Sequence, residues 1–299
     1  MGEPKLTRRA FLGAAALFPL AGCSADERTP AAAAPPTPAP VDTLPLRRLE
    51  RRFDARLGVY AINTGTGEEL AYRSDERFAF CSTFKGLAAA AVLDRTPLSD
   101  LDRIVRYTEG ELMPSSFITR DHVHTGLTLR KVCDAAVRFS DGTAGNLLLR
   151  EIGGPAGLTK YVRSLGDEVT RSDRTEPHLA RFTPGDPRDT THPRALATDY
   201  RGIVLGEALP PAKRAFLRDL LRRNTTGDNR IRAGLPRTWT VADRTGTGNY
   251  GTINDVGIAW PPRSAPLVVA VMSRRRTADA ASDEELITET ATFLAAALT

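Results

Sequence analysis

The spacing of apolar positions changes character along this chain. Over 56–63 apolar and polar residues alternate as in a strand, Thr64-Gly65-Thr66-Gly67 turns, and 68–73 returns as a second strand. The run Leu87-Ala88-Ala89-Ala90-Ala91-Val92-Leu93 follows, with no Gly or Pro, and reads as a buried helix. From about 99 to 223 strand signals are few, and helices are predicted over 128–139, 143–152, 156–165, 193–205 and 210–222. Strand patterns resume only at 238–244, 255–260 and 267–273, the first two joined by a Gly-rich connection. A further helix is predicted around 47–53, and Ser282-Asp283-Glu284-Glu285 fits a capping box opening the last one. Strands at both ends with helices between predict an α/β chain of α+β type. Its sheet subdomain (about 45–75 and 230–299) is built from both termini, and an all-helical subdomain (about 76–229) is inserted. A cleft between the two is the expected ligand site.

The first residues stand outside that pattern. Thr7-Arg8-Arg9-Ala10-Phe11-Leu12 is basic, and the apolar run after it is too short to span a membrane. Residues 1–22 therefore read as an export signal, the paired arginines resembling a twin-arginine signal. Leu20-Ala21-Gly22-Cys23 resembles a lipoprotein processing box, which makes Cys23 the lipidated first residue of the mature chain; the alternative is plain cleavage with Cys23 incidental. Residues 23–44, rich in Pro and Ala, read as an extended tether.

Composition narrows the classes. With 41% hydrophobic and 26% charged residues in 299, the chain can bury one large core or two interlocked ones. The net charge of +5 includes +2 from residues 1–22, and no dense Lys/Arg run with interleaved aromatics exists, which argues against nucleic acid. Cys23, Cys81 and Cys133 make no disulfide framework. His122-x-His124 has half the look of a zinc site, but no third ligand stands at suitable spacing, so neither metal nor other cofactor is expected.

Phe80-Cys81-Ser82-Thr83-Phe84-Lys85-Gly86 opens the Ala/Leu helix, and Ser82 and Lys85 share one helical face. A hydroxyl and an amine one turn apart, near the positive end of the helix dipole, can form an activated nucleophile. Taken alone, Ser-x-x-Lys is more plainly an N-cap and a solvated lysine. Lys85 is, however, one of only five lysines. Four segments then follow in order: Ser140-Asp141-Gly142 between two helices, Arg171-Ser172-Asp173-Arg174-Thr175-Glu176-Pro177, Pro184-Gly185-Asp186-Pro187-Arg188-Asp189, and Arg244-Thr245-Gly246-Thr247-Gly248 at a strand end. Together with Ser82 and Lys85, and over roughly residues 45–299, they resemble the class A serine β-lactamases.

The resemblance implies a serine β-lactamase fold, shared with penicillin-binding proteins, and roles by position. Ser82 would attack the lactam carbonyl, with the backbone N–H groups of Ser82 and Thr247 as oxyanion hole. Lys85 would be base or proton shuttle, and Ser140 would pass a proton to the lactam nitrogen. Glu176 would activate the water that hydrolyses the ester. Arg244, Thr245, Gly246, Thr247, Arg230 and Gly142 would line the substrate seat. Arg174 and Asp189 would pair across the neck of the Glu176 loop, and the Glu176–Pro177 bond would be cis. Departures are visible too: Gly142 replaces the usual Asn, removing an amide and widening the cleft; Arg244 replaces Lys; Ala180 and Ser115 stand where Asn and an aromatic are common. The positions expected to bridge to Cys81 and Cys133 are Gly248 and Ala89, so no disulfide is expected. The implied protein is an exported, lipid-anchored or secreted monomer that hydrolyses penicillins or cephalosporins and confers resistance to them. The alternatives are a lipid-anchored β-lactam-binding protein that acylates and deacylates poorly, and a DD-peptidase; the Glu176 segment argues against the peptidase.

Overall fold

A computed structural model describes residues 42–299; the signal, Cys23 and all of the tether but its last residues lie outside that range. The helices are α1 (Leu44–Arg52), α2 (Phe84–Arg95), α3 (Leu129–Phe139), α4 (Gly142–Glu151), α5 (Gly154–Ser164), α6 (Pro193–Val204), α7 (Pro211–Arg222), α8 (Ile231–Gly234) and α9 (Glu285–Leu298). The long strands are β1 (Arg56–Asn63), β2 (Glu69–Tyr72), β7 (Thr240–Thr247), β8 (Ile253–Trp260) and β9 (Leu267–Arg274). They form one antiparallel sheet in the order β2-β1-β9-β8-β7, so the two ends of the described chain meet where β1 pairs β9, Arg56 opposite Arg274 and Asn63 opposite Leu267. Two short ribbons, β3 (Phe78–Ala79) with β6 (Thr190–Thr191) and β4 (Ile104–Val105) with β5 (Leu127–Thr128), were not visible as patterns.

Both faces of the sheet are covered. Val59, Ala61, Val269 and Val271 point toward α1 and α9, whose Leu46, Leu49, Ile287 and Leu294 complete that layer. Tyr60, Ile62, Val268, Ala270 and Met272 point the other way, into a larger core shared with the helices. That is why 267–272 reads as a continuous apolar run: successive side chains alternate faces, and neither face meets water. Each fully buried Val or Leu contributes about 1.5–3 kcal/mol.

Helix α2 lies at the centre of the helical part. Phe84 to Leu93 are all buried, and the helix packs against α3, α4, α5, α6 and α7. Four consecutive alanines suit a helix crowded on every side, because small side chains let neighbours approach. Two predictions at helix starts are corrected. Ser82 is not in the helix but in the 3-10 turn Cys81–Thr83 before it, and neither Ser82 nor Thr83 caps α2. The capping box at 282–285 does not form: α9 begins at Glu285 without a side-chain cap, and Asp283 Oδ1 accepts only the Glu285 N–H.

Candidate active site

The backbone around Ser82 is fixed from three directions. Thr83 donates through N–H and Oγ to the Phe80 carbonyl, at 3.2 and 2.8 Å. Tyr200 of α6 donates its hydroxyl to the Thr83 carbonyl at 2.7 Å, and Asn254 of β8 donates Nδ2 to the carbonyls of Ala79 and Phe80. Cys81, just before the nucleophile, is held at φ 47, a left-handed conformation costly for a residue with a side chain. β7 closes the fourth side. A Cβ on Gly246 would lie 2.7 Å from Phe80 O and 3.2 Å from Ser82 N, so only glycine lets this strand run against the turn. The strand end carrying Thr247 is thereby set beside Ser82, the placement an oxyanion pocket requires.

Three segments converge on the Ser82 hydroxyl. Lys85 Nζ donates to Ser82 Oγ at 3.0 Å and to the Ser140 carbonyl at 2.8 Å, with Ser140 Oγ 3.3 Å away. Ser140 sits in the break between α3 and α4 at φ 58. Glu176 Oε1 lies 2.6 Å from Lys85 Nζ and accepts from Ser82 Oγ at 3.3 Å. Lys85 is fully buried. Burial pulls its ammonium below the ordinary lysine range; the Glu176 charge opposes that pull and the Arg244 charge adds to it.

Glu176 reaches this spot on the loop from Arg171 to Thr190, whose ends meet in a single antiparallel bridge. Arg174 Nε meets Asp189 Oδ2 at 2.5 Å, while Asp189 Oδ1 accepts the N–H groups of Asp173 and Arg174. The Glu176–Pro177 bond is cis, as expected. One holding residue was missed in the sequence: Asn146 of α4 accepts the Glu176 N–H through Oδ1 at 2.9 Å and donates Nδ2 to its carbonyl at 3.0 Å. Its only signal is an amide among Gly145, Leu147 and Leu148 on an otherwise apolar helix.

The cleft has a volume of about 400 Å³, and Ser82, Ser140, Glu176, Thr245, Gly246 and Thr247 are on its walls. A roomier cavity of about 650 Å³ beside Trp239 and Arg237 holds no comparable nucleophile and base. Arg230 also borders the cleft, although it is only 6% exposed. Its guanidinium donates to the carbonyls of Gly246 and Asn254, to Glu284, and through Nη2 to Thr247 Oγ1 at 2.8 Å. Arg244 is fully buried and lies behind the wall rather than on it. It donates to Ser140 Oγ at 2.5 Å and to the hydroxyls of Thr226 and Thr245. Burial lowers its guanidinium to about 10. Among the described residues it has no carboxylate within ion-pair distance, because neighbouring Asp243 pairs with Arg232. A buried cation whose donors run through hydroxyls into a cleft is a seat for an anion.

The expectation at Gly142 needs correction. Its missing side chain does not widen the cleft there: a Cβ would lie 2.4 Å from Ser115 Oγ, 3.0 Å from Glu176 Oε2 and 3.1 Å from Met113 Cβ. Those groups fill the space that a larger residue would need. Cys81 and Cys133 are buried free thiols, which burial pushes up to about 12, and Gly248 lies directly against Cys81.

Comparison with known proteins agrees with this geometry. A family model described as a β-lactamase enzyme family matches residues 45–298. A β-lactamase of Amycolatopsis lactamdurans is 55% identical over 267 residues, covering 89% of this chain and 88% of that one. One from Mycobacterium tuberculosis is 49% identical over 298 residues and covers 97% of both. The crystal structure of a class A β-lactamase from Clostridium kluyveri superimposes with a TM-score of 0.83 at 44% identity, covering 84% of this chain and 96% of that chain. With a serine, a buried lysine and a loop carboxylate brought together on this scaffold, the chain belongs to the class A serine β-lactamase family, hydrolases of cyclic amides.

Proposed function

We propose that the enzyme opens penicillins and cephalosporins through an ester on Ser82, and that Glu176 serves both half-reactions. The observation that carries this reading is the contact of Glu176 Oε1 with both Ser82 Oγ and Lys85 Nζ, at 3.3 and 2.6 Å. Lys85 has acceptors on Ser82, Ser140 and Glu176, the pattern of an ammonium. The Ser82 proton therefore passes to Glu176 as Oγ attacks the lactam carbonyl. Lys85, its acidity raised by burial, passes a proton through Ser140 Oγ to the departing ring nitrogen and is recharged from Glu176. The N–H groups of Ser82 and Thr247 receive the developing oxyanion, where one such donor is worth about 3 kcal/mol. The substrate carboxylate rests on the hydroxyls of Thr245 and Thr247, backed by Arg244 and Arg230. Glu176 then takes a proton from water as that water attacks the ester, and returns it to the departing Ser82 oxygen, 3.3 Å away, which restores both residues. Produced in a susceptible host, the enzyme would confer β-lactam resistance.

Mixing the protein with a chromogenic cephalosporin tests this directly. Many turnovers per molecule are expected. A single stoichiometric burst with a lasting mass adduct would instead identify a drug-binding protein that fails to deacylate.

We also propose that the enzyme is exported as a monomer and held to the outer face of the membrane by lipid on Cys23, with residues 23–44 as its tether. The support is the sequence of residues 1–22 and the processing box ending at Cys23. Mass spectrometry of the mature N-terminus should find a diacylglyceryl-modified Cys23; an unmodified terminus, at or after Cys23, would sink the anchor.

A further inference from the structure

Most residues on the cleft wall carry polar side chains, and only one large apolar side chain stands among them. Phe117 borders the cleft beside Ser115 and is 57% exposed, one of three large hydrophobic side chains left so open among the described residues. The other two, Leu44 and Ile104, are not on the cleft wall. The remaining apolar residues on that wall, Ala180 and Gly246, are small.

The exposure of this ring does not come from a loose loop. Asp141, fully buried, accepts the N–H groups of Ile118 and Thr119 through Oδ2, both at 2.8 Å. Thr119 Oγ1 donates to Asp141 Oδ1 at 2.9 Å, Gly142 N donates to the Ser115 carbonyl at 3.1 Å, and Ser116 Oγ meets Thr143 Oγ1 at 2.7 Å. Backbone on both sides of Phe117 is thus stitched to the segment that carries Ser140. Its neighbour Ile118 packs against the core, and Phe117 does not. A large apolar surface held rigidly out into water beside a reacting group is a preorganised contact for something apolar.

We propose that Phe117 is a specificity-determining residue whose ring receives the acyl side chain of the substrate, favouring β-lactams with aromatic or apolar side chains. This rests on the reading that the cleft opens β-lactams. The contact forms on binding and is kept through the reaction, so it acts on KM more than on kcat. Side-chain carbonyl recognition plays no part in it.

The test compares benzylpenicillin, which carries a phenylacetyl group, with 6-aminopenicillanic acid, which has the same bicyclic core and no acyl group. Phe117→Ala should raise KM for benzylpenicillin about 10-fold, the effect of losing a modest apolar contact, and leave kcat nearly unchanged. Both parameters for 6-aminopenicillanic acid should stay within about twofold of the parent, since no apolar contact is lost there. Phe117→Tyr should restore the benzylpenicillin KM. Equal changes on both substrates would mean that the ring only supports the loop, and no change on either would mean that it touches no substrate; each overturns the inference while leaving the hydrolase intact. A parent enzyme that opens neither compound would overturn the hydrolase reading and this inference together.

Discussion

Glu176→Gln is expected to convert the enzyme from a catalyst into a trap. Glutamine keeps the shape of the side chain, so the bracket from Asn146 to the backbone of residue 176 should persist. The variant cannot accept a proton, and this loss falls unequally on the two half-reactions. In acylation the attacking oxygen already has a second group within reach, because Lys85 Nζ is 3.0 Å from Ser82 Oγ and, freed from its carboxylate partner, loses its charge more readily. In deacylation the attacking oxygen belongs to water, and the network offers no second base on the loop side. Removal of a general base slows a step by about 10²–10⁴-fold, so ester hydrolysis should fall by about that factor while ester formation falls less. Intact-mass measurement after mixing with benzylpenicillin should show nearly all protein carrying one opened drug. Steady-state turnover close to that of the parent, with no adduct, would remove Glu176 from the mechanism.

What could be read from the sequence, and what could not, divides along a physical line. Local pattern sufficed for α3 to α7, whose bounds lie within two residues of the predicted ones. It also sufficed to bring Ser82 and Lys85 together, although Ser82 lies in the 3-10 turn and Lys85 in α2, because that turn runs directly into the helix and keeps residues three apart on one side. It failed where a residue's role depends on a distant backbone. β7 and β8 run to Thr247 and from Ile253, longer than predicted, because Thr245-Gly246-Thr247 looks like the start of a loop until Phe80 and Ser82 are placed against Gly246. Asn146 gave no sign of holding Glu176, since the two meet only through tertiary packing. Gly142 was legible as a missing amide but not as a filled space, for Ser115, Met113 and Glu176 come from two separate loops. Arg244 was legible as a charge and not as a buried one. Its position behind Ser140, Thr226 and Thr245 follows from three segments that share no local pattern.

Asp189→Asn should cost both stability and turnover, and the two losses share one cause. Asp189 is fully buried, and its carboxylate is the sole described partner of the Arg174 Nε while also receiving two backbone N–H groups. Its own carbonyl accepts the N–H of Phe80, so the residue joins the neck of the Glu176 loop to the segment leading into Ser82. Asparagine is nearly the same size and tolerates the left-handed backbone at this position, φ 55, so the substitution isolates charge from shape. It presents an uncharged oxygen to the guanidinium, and either that pairing or one to the backbone must weaken. Removing one partner of a buried pair typically costs about 3–5 kcal/mol. Arg174 retains 22% side-chain exposure and can recover some hydration, which favours the lower end. For a chain of this size about 3 kcal/mol lowers Tm by roughly 6–12 °C. Glu176 lies two residues from Arg174, so loosening of the neck should also slow deacylation at temperatures well below the new Tm. Thermal melts and chromogenic turnover at 20 °C separate the two losses. If Tm falls and turnover at 20 °C does not, the pair supports the fold without positioning the carboxylate; if neither moves, the neck is held by its backbone bridge alone.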